Sequence, residues 1–225
     1  MYCFCLNSNK KCLFILMLSF FSFSVLGERF GITLQYDRTS IINGELWRVV
    51  TCHLIHTGWN HLFLNLAGTL LLFSIFGRLY PIFLWFIGLF SIMLGISFSF
   101  LLFYPELEWY IGLSGVLHGS FAMGIMGEIK RGNKIYYIVL LTLLGKVISE
   151  QVVGPSSYTT QLINAPIITS AHFYGTITGG VISLLLFKGN KGCQSKFDYL
   201  LTPITSRQKL QVAGANKNNI SEGQM

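Results

Sequence analysis

The sequence predicts an all-α membrane protein, a bundle of six transmembrane helices with both termini in the cytoplasm. Three observations carry this. Of 225 residues, 52% are hydrophobic and 11% charged, with a mean hydropathy of +0.57, whereas soluble domains carry about 25% charged residues. The apolar residues gather in six runs, at 12–27, 59–77, 80–104, 112–129, 135–153 and 166–187, and a spanning helix needs about 17–25 of them. The cations alternate between the ends of these runs, so the net charge of +7 is a topology signal and not a nucleic-acid footprint. Lys10, Lys11, Arg78, Lys130, Arg131, Lys134, Lys188, Lys191 and Lys196 fall on one side. The other side holds Glu28, Asp37, Glu45, Glu106 and Glu108, with Arg29, Arg38 and Arg48. Cations concentrate in cytoplasmic loops, which puts both termini inside. The boundaries follow: residues 1–11 form a cytoplasmic segment, 12–188 the six-helix membrane domain, and 189–225 a cytoplasmic tail whose polar composition predicts disorder.

The first run follows Lys10-Lys11 and is short enough to look like a signal peptide. Val25-Leu26-Gly27 makes a poor cleavage site, so it reads as an uncleaved first helix. A polar outer loop at 28–58 follows. The second run sits in "CHLIHTGWNHLFLNLAG", where His61 and Asn65 share a helix face with Gly68. Polar side chains there need partners; both are candidate donors to an oxyanion, or else hydrogen-bonding glue between helices. The third run is apolar throughout. The fifth carries Lys146 and Glu150 four apart, which reads as an i,i+4 ion pair, with an intramembrane functional charge as the weaker reading. Five cysteines, Cys3, Cys5, Cys12, Cys52 and Cys193, follow neither a zinc spacing nor a disulfide framework.

The fourth run opens "IGLSGVLHGS" and raises the chemical question. Ser114 would begin a helix at its outer end, where its own N–H lacks an intrahelical acceptor and sits at the positive end of the helix dipole. Such an N–H stabilises the oxyanion formed when the hydroxyl attacks a carbonyl. The soluble G-x-S-x-G elbow is not matched, because Val116 replaces its last glycine. A serine nucleophile needs a base, and the sixth run supplies His172 in "SAHFYGTITGG". Gly175 and Gly179 lie on its face, and Gly115 and Gly119 repeat that spacing after Ser114. Small residues four apart let helix backbones approach closely, so facing glycine stripes would bring His172 to Ser114. His118, one turn below Ser114, is a competing base or a residue lining the site. A metal held by His53, His56, His61 and His172 is the rival, but no H-E-x-x-H and no adjacent carboxylate completes it. No metal or cofactor is expected.

These features together resemble a rhomboid intramembrane serine protease. The resemblance runs from Glu45 to Gly179. It rests on Glu45-x-Trp47-Arg48, the His56, His61 and Asn65 series, Gly112-x-Ser114-Gly115, and Ala171-His172-x-x-Gly175. It implies a six-transmembrane-helix rhomboid-like bundle with Ser114 as nucleophile and His172 as base. The oxyanion would be held by His61, Asn65 and the Ser114 N–H, and the site lined by Gly112, Gly115, Gly175 and His118. With no acid evident as a third member, the resemblance is to a catalytic dyad. Gly-Val-Leu-His118-Gly119 and the compact length are most like the rhombosortase branch. That branch implies a bacterial inner-membrane enzyme whose partners are membrane-anchored proteins with C-terminal Gly-Gly sorting tails. A general rhomboid with another substrate, and a noncatalytic rhomboid-like protein that binds membrane segments, are the alternatives. A small transporter using His172, Lys146 and Glu150 would leave the glycine-framed serine unexplained.

Overall fold

The computed structural model describes residues 30–186 and the isolated position 22; the predicted helix at 12–27 and the tail at 189–225 lie outside the described residues. The described chain is mostly helical. Two short strands, β1 (Tyr36–Asp37) and β2 (Trp109–Tyr110), pair antiparallel with Tyr36 opposite Tyr110. Two short helices, α1 (Arg38–Ile42) and α2 (Arg48–Thr51), lie in the first loop. The long helices are α3 (Trp59–Phe76), α4 (Ile82–Phe103), α5 (Ser114–Lys130), α6 (Ile135–Val153) and α8 (Thr169–Leu186), with the short α7 (Ser157–Ile163) before the last. The runs at 59–77, 80–104, 112–129, 135–153 and 166–187 therefore become helices, each shifted by no more than a few residues at its ends.

Local chemistry sets those ends. Pro81 precedes α4, where its missing N–H costs no helical bond. Gly154, with φ of 91°, stops α6, and Asn164 in the left-handed region stops α7. The fold of the first loop was not legible in the sequence. Arg48 is its organiser: its guanidinium bonds Glu45 at 2.6 Å, the Ile32 carbonyl at 2.6 Å and the Gln35 carbonyl at 2.9 Å. Arg38 reaches the Phe100 and Leu101 carbonyls at 3.2 and 3.0 Å, adding a second donor to Phe100 O, which already accepts the Tyr104 N–H, and tying the first loop to the end of α4. Asp37 caps α1 by accepting the Ser40 N–H at 2.8 Å. That bond holds its carboxyl below the usual range.

Among the described residues, three helices are long and apolar enough to cross a membrane: α3, α4 and α6. In α5 ten of its 17 residues are buried, many of them glycine, so this helix packs mainly against protein. Helices α5 and α8 run parallel and touch backbone to backbone. A Cβ at Gly115 would lie 2.8 Å from the Ala171 carbonyl oxygen, and one at Gly119 would lie 2.5 Å from that of Gly175. Reciprocally, a Cβ at Gly175 would strike Gly115 O and one at Gly179 would strike Gly119 O. At the periphery α6 buries only Val147. Its apolar surface has the character of a lipid-facing helix.

Candidate active site

The α5–α8 contact places Ser114 and His172, each in the first turn of its helix, at the same end of the bundle. His172 Nε2 lies 3.0 Å from Ser114 Oγ. The backbone reaches this point through Gly112, whose φ is 141°. A Cβ there would also sit 3.0 Å from the His61 ring, so a side chain at 112 is excluded twice. Tyr110 Oη donates to the Gly112 carbonyl at 2.6 Å, and the Gly112 N–H donates to Cys52 O at 2.9 Å. These bonds tie the approach to Ser114 to the first loop.

Helix α3 brings His61 beside Gly112 and carries Asn65 one turn further on. Thr57 donates to His61 Nδ1 through its hydroxyl at 3.0 Å and more weakly through its N–H at 3.5 Å. An accepting Nδ1 requires the proton on Nε2, and Nε2 is the edge that faces Gly112. Asn65 is 4% exposed, and its Nδ2 is buried with no hydrogen-bond partner. Buried polar groups are nearly always satisfied, and each exception needs a reason. His61 thus presents an N–H beside Gly112, two residues before Ser114, whose own N–H, as the first of α5, has no intrahelical acceptor.

The sequence reading gives His172 no acid partner and pairs Glu150 with Lys146 alone. The structure corrects this. Glu150 Oε2 lies 2.7 Å from His172 Nδ1, while Glu150 Oε1 takes the Lys146 ammonium at 2.6 Å. Lys146 Nζ also lies 2.9 Å from His118 Nε2, and His118 Nδ1 lies 2.8 Å from the Ser114 carbonyl. His118 stacks on His172, ring centroids 4.0 Å apart and planes 14° apart. Both nitrogens of His118 are therefore engaged away from the Ser114 hydroxyl.

The chain matches the Rhomboid domain over residues 43–189, well over half its length. It belongs to the rhomboid family. No curated protein matches it. Rhomboids are a family of intramembrane proteases, and the apolar helices make this rhomboid a multi-pass membrane protein.

A second serine–histidine contact tests which pair has chemistry available in this rhomboid. His53 Nε2 lies 3.1 Å from Ser97 Oγ and 3.1 Å from the Met93 carbonyl, and Ser97 donates to Val49 O at 2.8 Å. A carbonyl only accepts, so His53 Nε2 carries the proton and has no lone pair with which to take another. Both residues are 0% exposed. Burial pushes His53 down to about 4, which keeps the ring neutral. This pair fastens the first loop to α4. The four-histidine metal reading also loses a ligand, since His53 Nε2 is engaged by Ser97 and the Met93 carbonyl. His56 instead packs edge-on against His61 at 5.0 Å. His118, Glu150 and His172 do bring ligand atoms within 4.8 Å of one another, but the Lys146 ammonium supplies the positive charge between two of them.

Sequence reasoning missed Glu150 as a neighbour of His172 because the ion pair with Lys146 already accounted for it. The available signal was direction. Residues 146 and 150 lie on one face, and Val147, adjacent to Lys146, is the one buried residue of α6.

Proposed function

We propose that this rhomboid is a serine endopeptidase that cleaves a peptide bond in or beside a substrate's transmembrane segment. The observation that carries the reading is the 3.0 Å contact of His172 Nε2 with Ser114 Oγ, beside unpartnered donors on α3. Ser114 Oγ attacks the scissile carbonyl as its proton passes to His172 Nε2. The resulting oxyanion accepts from the Ser114 N–H, His61 Nε2 and Asn65 Nδ2. As the carbon–nitrogen bond breaks, His172 returns the proton to the leaving amine, and water then resolves the acyl-enzyme. The protein sits in a bacterial inner membrane as six spanning helices, both termini cytoplasmic, with Ser114 toward the outer face. An open cleft lined by Thr57, Trp59, Asn60, Ile163 and Asn164 adjoins His61 through Thr57.

A serine-reactive fluorophosphonate tests this with the purified protein. The probe is expected on the peptide containing Ser114 by mass spectrometry and absent in Ser114→Ala. A His61→Ala, Asn65→Ala double variant should label slower by at least the order of 10²–10³ typical of one lost oxyanion donor. Wild-type labelling in the double variant would make both residues interhelical glue. No labelling of the wild type would favour a noncatalytic membrane-segment binder.

The substrates are membrane-anchored proteins with C-terminal Gly-Gly sorting tails, as the rhombosortase likeness implies. Such a tail has one helix whose outer end lies level with Ser114. Each glycine there disfavours helix by about 1 kcal/mol relative to alanine, which frees a carbonyl that a continuous helix would hide. Cells lacking the protein are expected to accumulate secreted proteins with uncut tails in the inner membrane. Replacing both glycines with leucine should block processing. Normal trimming in the deletion strain, with an N-terminally anchored protein uncut, would identify a general rhomboid.

A further inference from the structure

We infer that Glu150 is a positioning residue for His172, making the serine–histidine pair a Ser114–His172–Glu150 relay whose acid comes from the lipid-facing helix α6. The inference rests on the proposed protease reading. Lysine only donates, so the Lys146 contacts require Glu150 Oε1 and His118 Nε2 to accept. His118 Nδ1 then carries its proton and donates to the Ser114 carbonyl. With Lys146 at 2.6 Å the Glu150 carboxylate is held ionised, and an ionised carboxylate only accepts, so His172 Nδ1–H donates to Oε2. That leaves His172 Nε2 unprotonated and facing the Ser114 hydroxyl at 3.0 Å. One protonation pattern satisfies every member, and it is the pattern a general base needs.

A plain ion pair does not account for this arrangement. An exposed i,i+4 pair contributes little to stability and needs one carboxylate oxygen. Here the second oxygen is directed at an imidazole 22 positions away on another helix. The Glu150 side chain is 15% exposed, against 49% for Lys146. Ionisable groups at membrane depth are rare and ordinarily functional. The geometry also matches a need of the reaction. When His172 takes the serine proton it becomes a cation in surroundings of low dielectric, and the carboxylate on Nδ1 offsets that charge. His118, stacked 4.0 Å from His172, fixes the ring plane while Glu150 fixes its rotation within that plane. The titratable and charged groups facing His172 are Glu150 and Lys146 from α6, His118 from α5 and His61 from α3.

The test uses the full chain in detergent, with the rate of fluorophosphonate labelling followed against pH. Glu150→Gln should slow labelling by the order of 10²–10⁴-fold, the range between a lost supporting contact and a lost triad acid. Removing the negative charge destabilises the imidazolium, so the acid limb of the profile should move to lower pH. The thermal unfolding curve should stay close to wild type. A purely structural role would move the unfolding curve and leave the acid limb in place. Wild-type labelling by Glu150→Gln with an unmoved acid limb would overturn the inference. Should that variant fail to fold, Glu150→Asp decides. Its carboxylate falls short of His172 or of Lys146, and about a tenfold loss supports the relay, whereas a wild-type rate overturns it. Failure of the protease reading looks different: the wild-type probe then lands on a residue other than Ser114, whatever Glu150 does.

Discussion

Ser114→Ala is expected to abolish peptide cleavage while the protein still inserts and folds, and His172→Ala is expected to match it. Loss of a serine nucleophile or of its base typically costs about 10⁶-fold in kcat, so both variants should fall to background. Neither change perturbs the frame. Ser114 starts a helix whose position is set by Gly115 and Gly119 against α8, and alanine is the best helix former at the vacated site. His118→Ala discriminates between the two histidines near the serine. His118 Nδ1 bonds the Ser114 carbonyl and Nε2 the Lys146 ammonium, so this variant should keep a measurable rate. The measurement is cleavage of a membrane-anchored reporter by reconstituted protein. An inactive His118→Ala beside an active His172→Ala would reverse the assignment of the base.

Gly179→Ala should lower the stability of the fold. Its Cβ would meet Gly119 backbone carbon atoms at 2.5 and 2.8 Å, and backbone inside a helix has no rotamer through which to yield. Overpacking of this kind costs about 1–3 kcal/mol, occasionally more. The helices must part to admit the methyl group, and they carry Ser114 and His172 apart with them. The neighbouring residue is the control. A Cβ at Gly180 meets nothing within 4 Å, so Gly180→Ala should unfold at or slightly above the wild-type temperature, helped by its better helix propensity. Thermal unfolding in one detergent compares the two. Equal midpoints would show that the helix pair tolerates separation.

What the sequence made legible was whatever has a period or a charge. Hydropathy located α3, α4 and α6 to within a few residues, because lipid-facing helices must be apolar along their length. The glycine spacing at Gly115, Gly119, Gly175 and Gly179 anticipated the inner helix pair, because close backbone approach tolerates almost nothing else. The first loop was opaque. Arg48 bonds carbonyls at 32 and 35, and such contacts depend on where irregular backbone happens to pass, which no periodic signal encodes. Glu150 was hidden for another reason. Its partner four residues away supplied a complete local explanation, while its partner on α8 is visible only once the helices are assembled.

The parallel glycine contact between α5 and α8 also bears on how a rhomboid of this kind can diversify. The spacing of Ser114 and His172 is set by main-chain atoms, which mutation cannot resize. Side-chain drift elsewhere, on the lipid face of α6 or around the cleft near Thr57 and Asn164, can therefore accumulate without retuning the distance between Ser114 and His172. Substrate preference and chemical competence would then be separable: the periphery can change while the four glycines leave no room for a side chain.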